Sequence, residues 1–190
     1  MTTLEVEPVR IRTEEYDRMT EAGVFDGRHI DLLEGTLYEM PPMRTSHLVV
    51  LVRLQQMLAS LNAQRRLLVQ IPLRVPEFDE PEPDLAVLRE PLGRRKPTAA
   101  DSLLVIEVSD STLRFDRERK LPAYRRGGVD EVWIVNVPDL QLEVTDALGT
   151  RVFRPVDRSA PTAAGVTVDL AVLFSDLGDD QDRPSPAYRN

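Results

Sequence analysis

The stretch Leu103-Leu104-Val105-Ile106-Glu107-Val108 is apolar on both of its alternating faces except at one position. A run of that length and composition reads as a strand, and a strand apolar on both faces has to be covered on both sides. That requirement predicts a layered domain, a mixed sheet with helices, of α/β or α+β class. A carboxylate inside such a strand is strongly disfavoured unless it is neutralised, paired or bound to a cation, so Glu107 is a candidate functional residue. A plain salt bridge to an arginine at the strand's exit is the competing reading. The residues alone leave both open.

The rest of the chain supplies elements for such a domain. Thr13-Glu14-Glu15 opens a helix that Gly23 stops. Residues 30–40 read as two short strands around Glu34-Gly35. Leu48, Leu51, Leu54, Leu58 and Leu61 recur at helical spacing, with Ser46 as the cap and an end near Asn62. Leu67, Val69, Ile71, Leu73 and Val75 alternate strictly, which predicts one half-buried strand. Residues 84–88 and 132–135 read as further strands, and 140–145 with 151–156 as an antiparallel pair across Leu148-Gly149. A helix over 114–126 closes at Gly127-Gly128, and Pro122 inside it predicts a kink or a late start. Residues 1–178 are expected to form a single domain, followed by a loose polar tail over 179–190.

Composition narrows the chemistry. Cysteine is absent, which removes disulfides, zinc–thiolate sites, iron–sulfur clusters and a cysteine nucleophile. His29 and His47 are the only histidines, so a metal held here sees mostly oxygen ligands, the preference of Mg²⁺, Mn²⁺ or Ca²⁺. With 32 acidic against 24 basic residues the net charge is −8, which excludes coating nucleic acid by bulk charge. No apolar run approaches the ~20 residues of a membrane span, and residues 1–12 lack a signal peptide's apolar core. A cytoplasmic protein without membrane contact is expected. The Gly-rich phosphate loops and the G-x-S-x-G elbow are missing.

Alternation puts Asp84, Ala86 and Leu88 on one face of their strand, and Leu103, Val105 and Glu107 on one face of theirs. If the strands are neighbours, Asp84 and Glu107 converge, and two such carboxylates need a cation or a proton between them. The preceding acids Glu77, Asp79, Glu80 and Glu82 read as a solvated turn. Lys120 lies four residues past Asp116, so it either makes an i,i+4 pair worth ~0.2–0.5 kcal/mol or aims its ammonium at the carboxylates. Residues 113–128 carry Arg114, Arg117, Arg119, Lys120, Arg125 and Arg126 against Asp116 and Glu118, a net +4 patch able to meet a phosphate backbone. Arg117 is taken from it as a candidate substrate contact. His47, in the first turn of its helix, is a capping or packing residue or a second phosphate contact.

Pro83-Asp84 followed by Leu104-Val105-Ile106-Glu107-Val108 resembles the Pro-Asp … Glu-x-Lys signature of the PD-(D/E)XK nuclease superfamily. The longer string adds Ser109 to Thr112, Asp116, Lys120, Tyr124, Gly128-Val129 and Glu131-Val132-Trp133-Ile134-Val135. It resembles the Uma family of bacterial restriction-endonuclease-like proteins, a branch of that superfamily. The similarity runs over about residues 12–174 and includes Ile30-Asp31-Leu32-Leu33-Glu34-Gly35 and His47. Asp110 and Val132 stand where the family usually has proline and tyrosine.

The resemblance implies a restriction-endonuclease-like mixed sheet flanked by helices, with Mg²⁺ or Mn²⁺ held by Asp84 and Glu107. Asp31 is the candidate third acid, one methylene shorter than the family's glutamate. The usual lysine two residues past the glutamate is replaced by Ser109, and Lys120 on the following helix takes its place. The implied activity is phosphodiester hydrolysis, in DNA, by a homodimer. Aromatic residues make up only 5% of the chain, which gives little support to base stacking on single strands. Two rivals stand beside this reading: a catalytically silent nuclease-fold module binding nucleic acid or protein as a dimer, and hydrolysis of RNA or a small phosphodiester.

Overall fold

A computed structural model describes residues 8–177, and the expected tail over 179–190 lies outside the described residues. Helix α1 (Thr13–Glu21) starts with the Arg12 amide donating to the Glu15 carboxylate at 2.8 Å, so Arg12 rather than Thr13 occupies the cap position. Strands β1 (Ile30–Leu33) and β2 (Thr36–Glu39) form the expected hairpin. Its two turn residues, Glu34 and Gly35, both take positive φ (52° and 76°), the twist that tight hairpins require. Helix α2 (Thr45–Met57) breaks at Leu58 before a short α3 (Ala59–Ala63). Ser46 does not cap α2: its hydroxyl donates to Asp110 instead, at 2.6 Å.

Strand β3 (Leu67–Val69) covers only the start of the alternating run. Gln70 adopts φ 50° and ends the ladder, and Pro72 has no amide to extend it. Leu73 and Val75 are still buried, so the alternation reports burial there without a strand. Then come β4 (Leu85–Leu88), β5 (Ser102–Ser109), α4 (Leu113–Phe115), a π-turn (Asp116–Lys120) and α5 (Leu121–Arg126). Strands β6 (Glu131–Asn136), β7 (Gln141–Asp146) and β8 (Gly149–Phe153) follow. The hairpin β9 (Ser159–Pro161) and β10 (Thr167–Asp169) and the short α6 (Leu170–Leu173) close the described chain, three elements that the residue pattern did not predict.

The main sheet has six strands in the order β3-β4-β5-β6-β7-β8. Every neighbouring pair is antiparallel except β5 and β6, which are parallel and joined by the helical segment 113–126. Both faces are covered, as the apolar β5 requires. One carries Leu85, Val87, Leu104, Ile106, Val108 and Trp133, packed against Val50, Leu51 and Leu54 of α2 and against α6. The other carries Ala86, Leu88, Val105 and Val132, packed against Tyr124 of α5 and against Leu73, Val75 and Ala99. No described helix is long and apolar enough to cross a membrane.

Pro122 produces neither a sharp break nor a late start. A proline ring clashes with the carbonyl four residues back and offers no amide to it. The π-turn widens the helix just before Pro122, so the chain stays helical from 113 to 126.

Candidate active site

Antiparallel pairing sets Leu85 opposite Ile106, which brings the residue before β4, Asp84, beside the end of β5. Asp84 Oδ2 accepts the Val108 amide at 2.8 Å, and Oδ1 lies 2.8 Å from His47 Nε2 on the first turn of α2. Alternation turns Glu107 onto the α5 face of the sheet, where Tyr124 Oη donates to its Oε1 at 2.5 Å. Asp31 arrives from β1. The hairpin is tied down by the Glu80 amide on Leu32 O at 2.7 Å and the Glu82 amide on Asp31 Oδ1 at 3.0 Å.

Lys120 ends the π-turn and sits between these acids. Its Nζ lies 3.0 Å from Asp31 Oδ2, 3.2 Å from Glu107 Oε1 and 3.0 Å from the Glu82 carbonyl. The i,i+4 pair with Asp116 is not what it makes. Asp116 instead accepts the Ser109 and Thr112 hydroxyls, each at 2.6 Å, and so fastens the end of β5 to the π-turn. Asp31, Asp84, Glu107, Asp116 and Lys120 are all buried. A single pocket is lined by Asp84, Glu107, Asp116, Lys120, His47 and His29, together with Arg44, Ser111 and Thr112.

Burial alone would lower the Lys120 pKa, but the charges of Asp31, Glu107, Asp116 and Asp84 outweigh it and hold the ammonium above the ordinary lysine value. Burial raises Glu107 well above the usual carboxylate range; Lys120 opposes that shift while Asp116 and Asp84 add to it. Asp116 is raised for the same first reason, against Lys120 and the two hydroxyls. Burial and the Glu107 charge push the Tyr124 phenol up, so it stays a donor.

The donor set fits a hard divalent cation in its chemistry. Four buried carboxyl groups, Asp31, Asp84, Glu107 and Asp116, surround one buried ammonium, so negative charge is in surplus. Asp31 Oδ2 is buried with no hydrogen bond, its ion pair to Lys120 being off the bonding direction. Among the described residues, no three His, Asp or Glu side chains form a ready-made cation cage. The acids are drawn onto Lys120, Tyr124 and His47 instead.

Arg117 is the sequence candidate that the structure places elsewhere. Its guanidinium pairs with Glu143 on β7, and it does not line the pocket. The basic patch dissolves in the same way: Arg114 pairs with Glu118, Arg119 with Glu34 and Arg126 with Asp79, while Arg125 donates to the Val129 and Asp130 carbonyls. Of the acids before Asp84, Glu77 is exposed as a solvated turn requires, but the turn as a whole is not solvated. Asp79 and Glu80 are buried, the first accepting from the Glu34 amide and the second paired with Arg74 and Lys96. Sequence reasoning missed Tyr124 as the partner of Glu107, and Arg44 and His29 as lining residues.

The six-stranded mixed sheet, covered by helices, brings Asp84, Glu107 and Lys120 to one pocket. The family model Uma2, described as "Putative restriction endonuclease", matches residues 13–170, and the chain belongs to that family. A solved structure described as a "putative nuclease belonging to DUF820", from Anabaena variabilis ATCC 29413, is similar at a TM-score of 0.72 and 16% identity. The match covers 88% of this chain and 99% of that one, and at such identity it is a likeness of fold. No curated protein matches the chain.

Proposed function

We propose that this protein is a Mg²⁺- or Mn²⁺-dependent nuclease that hydrolyses phosphodiester bonds in DNA. The observation carrying the proposal is Lys120, buried and charged between Asp31 and Glu107, although the position two residues past Glu107 is Ser109. Asp84 and Glu107 would hold the divalent ion, with Asp31 as the third acid. Bound there, the ion would polarise the phosphodiester and make water acidic enough to attack at neutral pH.

The chain's own residues do the rest. The Val108 amide and His47 fix both oxygens of Asp84, so that carboxylate reaches the pocket pre-oriented. Tyr124 fixes Glu107 through Oε1. The Lys120 ammonium is locked by its contacts and supplies a fixed positive charge where negative charge grows on a five-coordinate phosphorus. His47 lines the pocket and is held there by Asp84 Oδ1.

Cleavage of supercoiled plasmid in Mn²⁺, with wild type, Glu107→Gln and Lys120→Met, tests the proposal. Cutting by the wild type and by neither variant supports it, and equal cutting by Glu107→Gln overturns it. RNA offered alongside separates the two nucleic acids. A binding module predicts instead a partner interaction indifferent to Glu107→Gln.

A further inference from the structure

The acid–lysine centre offers no free cation to the rest of a nucleic-acid strand. The Lys120 ammonium is buried and taken by Asp31, Glu107 and the Glu82 carbonyl. His29 and His47 face Glu82 and Asp84. The arginines of 113–126 are engaged with acids or carbonyls elsewhere. In a chain of net charge −8, the strand needs a local cation next to the centre.

Among the described residues one guanidinium lines the pocket, that of Arg44. It belongs to the residue just before α2, three positions from His47, and its side chain is 67% exposed. Lys120, lining the same pocket, is 3% exposed, so the two cations mark the rim and the floor. The Arg44 guanidinium makes no hydrogen bond among the described residues, and its carboxylate neighbour, Asp110 Oδ1, stands 4.0 Å away, beyond bonding distance. Asp110 is itself held back by the Ser46 hydroxyl on its other oxygen at 2.6 Å.

We propose that Arg44 binds a DNA phosphate flanking the scissile one, with Asp110 acting as the counter-charge that the phosphate replaces. The inference rests on the nuclease reading and sharpens it. A substrate held at both Arg44 and the acid–lysine centre carries at least two phosphates, which an isolated phosphodiester does not. A guanidinium suits the task because its planar fork meets two phosphate oxygens at once.

The test is the anisotropy of a fluorescein-labelled DNA duplex titrated with the full chain in Ca²⁺ over a range of salt. Arg44→Ala should raise Kd about tenfold at low salt and reduce the slope of log Kd against log salt by about one. Asp110→Asn, which keeps an acceptor for Ser46, should lower Kd. Arg95→Ala removes an equal charge from an exposed pair with Asp101 that does not line the pocket, and should move neither. An unchanged Kd in Arg44→Ala, an equal loss in Arg95→Ala, or no duplex binding by the wild type overturns the assignment. Weakened binding by Arg44→Ala with no cleavage by any form in Mn²⁺ would leave Arg44 standing while the catalytic reading falls.

Discussion

Lys120 Nζ lies 3.2 Å from Glu107 Oε1, although the residues are 13 positions apart and one is on a strand while the other ends a π-turn. The π-turn allows this pairing. It carries the helix past the proline and lets Lys120 enter the sheet face rather than stack over Asp116, while Asp116 is left to bind the end of β5. The strand that most needs covering and the residue that most needs neutralising are thus served by one helical segment.

Lys120→Met should destabilise the fold as well as abolish cleavage. It leaves Asp31 and Glu107 buried without their cation, and breaking a buried pair from one side costs about 3–5 kcal/mol. Urea unfolding at neutral pH reads the loss. A change under about 1 kcal/mol would mean that the acids had found another partner.

Tyr124→Phe removes the phenol that donates to Glu107 and keeps the ring packed on Val105 and Val132. Leaving that carboxyl oxygen one donor short should lower stability by about 1–3 kcal/mol. Thermal unfolding measures it, and an unchanged Tm contradicts the role given to Tyr124.

Two glycines should respond differently to the same substitution. A methyl group on Gly127 would lie 2.5 Å from the Ala99 Cβ and 2.8 Å from Val75 Cγ2, so Gly127→Ala should cost about 1–3 kcal/mol by overpacking. Gly93 has open space around the same position, and Gly93→Ala should stay within about 0.5 kcal/mol of wild type. Paired urea titrations decide it; equal effects would contradict the packing described between α5 and the 75–99 segment.

Alkaline pH should loosen the β1 hairpin. Tyr16 donates to the Ile30 carbonyl at 2.7 Å, and burial, then the charges of Asp31, Glu80 and Glu82, push its phenol up to about 12. A folded pKa above the unfolded value favours the protonated form, so this contribution is complete below pH ~10 and disappears as pH climbs toward 12. Tyr16→Phe should flatten stability against pH in that window. An identical slope in wild type and variant would contradict the assignment.

Much of this architecture is legible in the residues because it is written in short-range periodicity. The doubly apolar 103–108 demanded cover on both faces, and alternation alone set Asp84 and Glu107 on neighbouring positions once β4 and β5 pair. Periodicity also misled at 67–75, where Leu73 and Val75 are buried by a chain that has already left the ladder at Gln70. The less legible part consists of partners distant in sequence. Glu80 looks solvated until Arg74 and Lys96 close on it, and Arg117 looks free until β7 brings Glu143 beside it. Tyr124 was visible in the family string, yet only the crossing of α5 over β5 shows that its hydroxyl belongs to Glu107.

The central claim is that Asp84 and Glu107 hold a divalent cation. Mn²⁺ binding followed by water-proton relaxation, in wild type, Asp84→Ala and Glu107→Ala, tests it without the need to know the substrate. The account predicts binding in the wild type that both variants lose while remaining folded. Equal, weak binding in all three would contradict it and leave Glu107 a structural carboxylate held by Lys120 and Tyr124.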